Sequence, residues 1–161
     1  DFDLVMAGSG EMAGELQELA AKWPVLRVVF PGFVNQGDMP HLLGVTDGFV
    51  FPTSEEPWGL IVNEAMAAGN PVIVGREAGC VPDLVHHGQN GFVVDPDDIG
   101  ALKDAMRILI TDVEVRRKMA KASLDRMETW SFRECQTGWR EALGLPKLSG
   151  DEPSLASGDG E

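Results

Sequence analysis

The chain is short of cysteine, of basic residues and of long apolar runs, and each shortage excludes a class of protein. Its two cysteines, Cys80 and Cys135, show neither a pairing pattern nor metal-ligand spacing, so no disulfide framework or zinc site is expected. Both are read as reduced thiols. No apolar stretch approaches the roughly 20 residues that cross a bilayer as a helix, and the compartment expected is cytoplasmic. With 13 Lys and Arg against 26 Asp and Glu, a formal net charge of -13, the surface is unsuited to nucleic acid, whose phosphates are held by clustered cations. There are no internal repeats either.

What is present fits one α/β unit. The 161 residues, 43% of them hydrophobic, suffice for a single domain with a real core, expected over 1–145. Residues 146–161 are rich in Gly, Ser, Pro and acid and are expected to be a disordered acidic tail. A first residue that is Asp1, with a strand starting almost at once, is the expectation for a piece of a longer chain. Short apolar runs at 4–7, 26–30, 48–51, 71–74 and 91–94 read as strands. Helical spacing appears between them, at 11–23, 36–45 and 58–69, and then at 99–110, 113–127 and from Ser131 through Leu143. Strands alternating with helices predict a doubly wound parallel sheet with helices on both faces, its ligand at the carboxyl ends of the strands. The loops 8–10, 31–33, 53–59 and 75–82 fall at such ends, so four loops are expected to meet at one crevice.

The stretch from Thr53 to Val72 concentrates the chemistry. A strand feeds the turn Glu55-Glu56-Pro57-Trp58-Gly59, and a helix then runs to Gly69 and Pro71. The first N–H groups of a helix lack intrahelical partners and carry the positive end of the helix dipole, so the site favours an anion. Gly59 leaves a phosphate free to reach its own amide and those of Leu60 and Ile61. Glu56 and Glu64 cannot bind that phosphate but can accept hydrogen bonds from hydroxyls beside it. A phosphate flanked by hydroxyls describes a nucleotide or a sugar phosphate. The plainer alternative leaves Glu56 as a capping carboxylate and Glu64 as a solvated helix residue.

The order Glu56-Pro57-Trp58-Gly59-Leu60, three residues, then Glu64-Ala65-Met66-Ala67 resembles the Glu-x7-Glu signature of retaining GT-B glycosyltransferases, family 4 in particular. Trp58 stands where that signature usually has Phe. The following Gly69-x-Pro71-Val72 agrees, whereas Cys80 and Asp83 depart from the family's usual Gly-Gly-x-Pro-Glu turn. The resemblance covers about residues 3–143 and implies the donor-binding C-terminal half of a GT-B enzyme, Rossmann-like and N-terminally truncated. It implies transfer of a sugar from a nucleoside-diphosphate sugar to an acceptor hydroxyl with retention of anomeric configuration, generally without metal or other cofactor.

By the same resemblance, Glu64 takes the ribose hydroxyls and Glu56 contacts the transferred sugar, these two being the catalytic candidates. The amides of Gly59, Leu60 and Ile61 hold the diphosphate, in a turn shared with Pro57 and Trp58. Gly8 and Gly10 belong to the donor site, and Phe33 and Val34 face the base. The acceptor, a glycan or lipid-linked sugar, is expected on an N-terminal domain that this chain lacks, with peripheral membrane association of the full-length enzyme. The 161 residues alone are expected to bind nucleotide weakly and transfer little sugar. Two rival readings share these elements: a catalytically silent nucleotide-binding module, and a NAD-binding dehydrogenase half. The second rests on Gly8-Ser9-Gly10-Glu11-Met12-Ala13, which fits G-x-G-x-x-A, although the next strand ends in Pro31-Gly32-Phe33 rather than in the acid that would hold a ribose.

Overall fold

The computed structural model describes residues 2–146; residues 147–161, nearly all of the expected acidic tail, lie outside the described residues. Strands and helices alternate as β1 (Asp3–Ala7), α1 (Ala13–Ala21), β2 (Arg27–Gly32), α2 (Met39–Gly44), β3 (Phe49–Phe51) and α3 (Leu60–Ala67). They continue as β4 (Val72–Gly75), α4 (Val81–Leu84), β5 (Gly91–Val94), α5 (Ile99–Thr111), α6 (Val113–Met127) and α7 (Phe132–Ala142). All strand pairs are parallel, as the helical crossovers require. The α/β class and the parallel pairing are therefore those read from the sequence.

The strands form two sheets rather than the single five-stranded sheet expected. One is β1-β2; the other is β3-β4-β5. Among the described residues no strand pairs one sheet with the other.

The core is built around β4, which is buried along its whole length. Because side chains alternate across a strand, Val72 and Val74 face one side, where they pack with Val62 and Met66 of α3 and with Leu43 and Leu84. Ile73 faces the other side and packs with Ala105 and Leu109 of α5 and Met119 of α6. Burying such side chains stabilises by roughly 1.5–3 kcal/mol each, and here it fixes helices on both faces of the three-stranded sheet. Buried polar groups at the joints are satisfied. Asn70 donates to the Leu43 carbonyl at 2.9 Å and accepts from Thr46. Asn90 donates to the Leu84 carbonyl, and its own carbonyl accepts from Ser123. By contrast, no residue of β1, α1 or β2 is buried.

Candidate functional site

The site grows from the way α3 begins. Gly59 caps it at φ 93°, ψ 57°, a left-handed conformation that strains any residue with a Cβ. Its carbonyl accepts from Val62 N at 2.8 Å, which closes the first turn. The amides of Gly59, Leu60 and Ile61 are left without an acceptor among the described residues. They form the positive end of an eight-residue helix.

The loop before Gly59 does not hang free. It lies along the loop that follows β4, with Glu56 bridged in parallel to Ala78. Gly79 N donates to the Glu56 carbonyl and Cys80 N to the Trp58 carbonyl, each at 2.9 Å. The contact is so close that a Cβ on Gly79 would sit 2.0 Å from the Pro57 carbonyl oxygen. Residues 53–59 and 75–80, two of the four loops expected to meet, are therefore one zipped structure at the carboxyl ends of β3 and β4.

Glu56 is half-buried, and its Oε1 accepts from Trp58 N at 3.3 Å, folding the carboxylate back over its own turn. Glu64 is also half-buried. Its carboxylate has no hydrogen bond or ion pair among the described residues. Since α3 starts at Leu60, Glu64 lies about one turn inside the helix, close to the free amides. Pro57 and Leu60 are exposed and Ile61 half-buried. Trp58 turns its indole into the protein: Nε1 donates to Asn63 Oδ1 at 2.9 Å, and the ring stacks on Trp130 with centroids 5.9 Å apart.

Cys80 lies beneath this turn, fully buried. Burial raises its pKa above the ordinary 9.0, and the negative charges of Glu56 and Asp83 push the same way against a lowering backbone hydrogen bond. At neutral pH the thiol stays protonated, so it packs and does not act as a nucleophile.

The other expected residues form a second group. Gly8, at φ 132°, donates its amide to the Gly32 carbonyl at 2.8 Å, which joins the ends of β1 and β2. Gly10 accepts from Ala13 N at 3.1 Å and turns the chain into α1. Phe33 is 77% exposed and Val34 half-buried at the exit of β2. These residues share no hydrogen bond with the Glu56 turn, because they belong to the other sheet. The four expected loops are thus two bonded pairs, one at the end of each sheet.

Concave surfaces beside His86, Asn90 and Arg126, and beside Phe132, Cys135 and Trp139, include none of the expected site residues. His87 is structural: its Nδ1 accepts from Val93 N at 3.1 Å, and its ring meets Phe92 edge-on. Among the described residues no three His, Cys, Asp or Glu side chains gather as metal ligands. No helix among them is long and apolar enough to cross a membrane. Asn63, Trp130 and the zipper at Ala78 and Gly79 were not among the expected site residues. Only the close glycine at 79 left a mark in the sequence.

A parallel, doubly wound α/β unit that presents free helix amides and carboxylates at the carboxyl ends of its strands belongs to a nucleotide-binding class of architecture. The family is more specific. Residues 1–126 match the family described as "Glycosyl transferases group 1", and the chain belongs to it. The sulfoquinovosyl transferase SQD2 of Arabidopsis thaliana is 31% identical over 137 residues, covering 83% of this chain and 26% of the relative. A glycogen synthase of Mycobacterium tuberculosis is 33% identical over 125 residues, covering 77% and 30% respectively. Among solved structures, Anabaena Alr3699/HepE in complex with UDP superposes with a TM-score of 0.72 at 26% identity, over 88% of this chain and 40% of that one. The parallel α/β architecture is thus that of GT-B glycosyltransferases. The chain spans between about a quarter and two-fifths of these relatives' lengths.

Proposed function

We propose that the chain is the donor-binding part of a glycosyltransferase that moves a sugar from a nucleoside-diphosphate sugar to an acceptor hydroxyl, with retention of anomeric configuration. The observation that carries this reading is the start of α3, where three free amides lie between the turn of Glu56 and the unpartnered carboxylate of Glu64. Diphosphate oxygens would take the amides of Gly59, Leu60 and Ile61, where the helix dipole favours the charge that grows as the sugar departs. Glu64 would accept from ribose hydroxyls and Glu56 from hydroxyls of the sugar, as the second and first acids of a family 4 Glu-x7-Glu signature would. Gly8, Gly10, Phe33 and Val34 would close the nucleoside side of the donor. The developing charge is met by main-chain amides, so the proposed site calls on no cofactor. An acceptor glycan or lipid-linked sugar would bind on a domain outside this chain, and the whole enzyme would act in the cytoplasm or at a membrane surface. The complex of the Anabaena relative with UDP supports the choice of donor.

Calorimetric titration with UDP, GDP and ADP, followed by NAD, tests this reading. One of the three diphosphates is expected to bind weakly, with affinity lost in Glu64→Ala. NAD affinity that ignores Glu64 but requires Gly8 and Gly10 would instead establish the dehydrogenase reading. With donor and acceptor supplied together, the 161-residue chain is expected to transfer little or no sugar, and binding without any transfer by the full-length protein would mark a silent module.

A further inference from the structure

Every polar atom of Trp58 is engaged, and none of them points to a ligand. Its N–H donates to Glu56 Oε1 at 3.3 Å, its carbonyl accepts from Cys80 N at 2.9 Å, and its indole Nε1 donates to Asn63 Oδ1 at 2.9 Å. The ring face is engaged as well, stacked on Trp130 at 5.9 Å and 28°. Trp130 is itself held from α6: the Arg126 guanidinium lies 5.4 Å above its ring and also donates to the Asp83 carbonyl in α4. One side chain thereby ties the Glu56 turn to α3, to the end of α6 and, through Arg126, to α4.

We propose that Trp58 is a positioning residue, with Asn63 and Trp130 as its anchors. The clamp holds the turn in the shape that folds the Glu56 carboxylate back and bares the Gly59, Leu60 and Ile61 amides before any ligand arrives. Asn63 stands in the first turn of the helix whose amides are exposed, so the bond from Nε1 locks the loop to the element it caps. A phenylalanine at 58 would keep the stack and lose that bond. Preorganisation of this kind raises affinity by lowering the ordering cost of binding. The functional arm of the inference rests on the nucleotide reading proposed above; the clamp itself does not.

The test uses W58F, N63A, their double variant and N63D, with two readouts. Amide exchange at Val62, Gly79 and Cys80, the donors that close the turn, needs no nucleotide. It is expected to quicken about three- to tenfold in W58F and in N63A, the loss of one net hydrogen bond. The double variant is expected to be no faster than either single one, since both remove the same bond. N63D retains an acceptor for Nε1 and is expected to exchange like the parent. Affinity for the bound nucleoside diphosphate should fall by a similar factor in W58F and N63A, again without addition in the double variant. Parental exchange in W58F, additive losses in the double variant, or N63D exchanging as fast as N63A would each overturn the clamp. Absence of nucleotide binding by the parent would overturn the donor reading, while exchange would still decide the clamp.

Discussion

Gly79 shows how a residue without chemistry can govern a site. A Cβ there would stand 2.0 Å from the Pro57 carbonyl oxygen, a backbone atom that cannot move without taking the Glu56 turn with it. Gly79→Ala should therefore lower stability by about 1–3 kcal/mol, the usual range for forced overpacking. Gly10→Ala meets nothing within 4 Å at a backbone angle any residue adopts, so it should stay within about 0.5 kcal/mol of the parent. Thermal unfolding of the two variants side by side checks the contrast; equal midpoints would mean that the two loops are not in contact.

The same residues show what sequence reading reaches. Gly59 was legible because the turn chemistry is local: a strand, a polar turn and a helix stop lie within some twenty positions. Trp58 was legible only as a position in a signature. Its partners Asn63 and Trp130 were not, since a stack across 72 positions leaves no periodicity behind it. Near the end of the described chain Phe132 and Trp139 are exposed, at 90% and 65%, whereas Trp130 is half-buried under Arg126.

At the scale of elements, the junction of α5 and α6 turns on Asp112. It ends one helix, with its amide donating to the Ile108 carbonyl at 2.9 Å, and starts the next, with Oδ1 accepting from Val115 N at 2.9 Å. Arg116 adds a bond from Nη1 to the Leu109 carbonyl at 2.7 Å. Asp112→Ala should cost about 1 kcal/mol, the usual value of an N-cap, and lower the melting midpoint by a few degrees. Asp104→Ala, which removes only an exposed pair with Arg107, should cost less than about 0.5 kcal/mol. A reversed order would mean that the cap does not hold the junction.

Helical spacing is why these helices were read so closely, 99–110 and 113–127 against Ile99–Thr111 and Val113–Met127. Apolar residues three and four apart announce both faces, while the caps at Asp98 and Asp112 are seen in the structure. Pairing between loops carries no comparable signal. The zipper of 53–59 on 75–80 had to be seen.

Across the whole molecule, core and site share one sheet. α3 packs Val62, Ala65 and Met66 against β4 with no exposure at all, so the helix that bares its amides is also the one most firmly held. β1, α1 and β2 form a separate parallel unit with exposed apolar side chains such as Trp23 and Leu19. The sequence announced five strands and their direction, but not that they divide into two sheets, because strand order depends on which strands are available to pair. The Gly8-Ser9-Gly10 turn and the Glu56–Gly59 turn consequently stand at the ends of different sheets, and a donor anchored by α3 would have its diphosphate on the second of them.

Amide chemical-shift mapping during titration with UDP tests that placement directly. The largest shifts should fall at Gly59, Leu60 and Ile61, with smaller ones at Gly8, Gly10, Phe33 and Val34, and the Gly59 response should survive Glu64→Gln at weaker affinity. Shifts confined to the Gly8–Gly10 turn, with Gly59 to Ile61 unmoved at saturation, would contradict it.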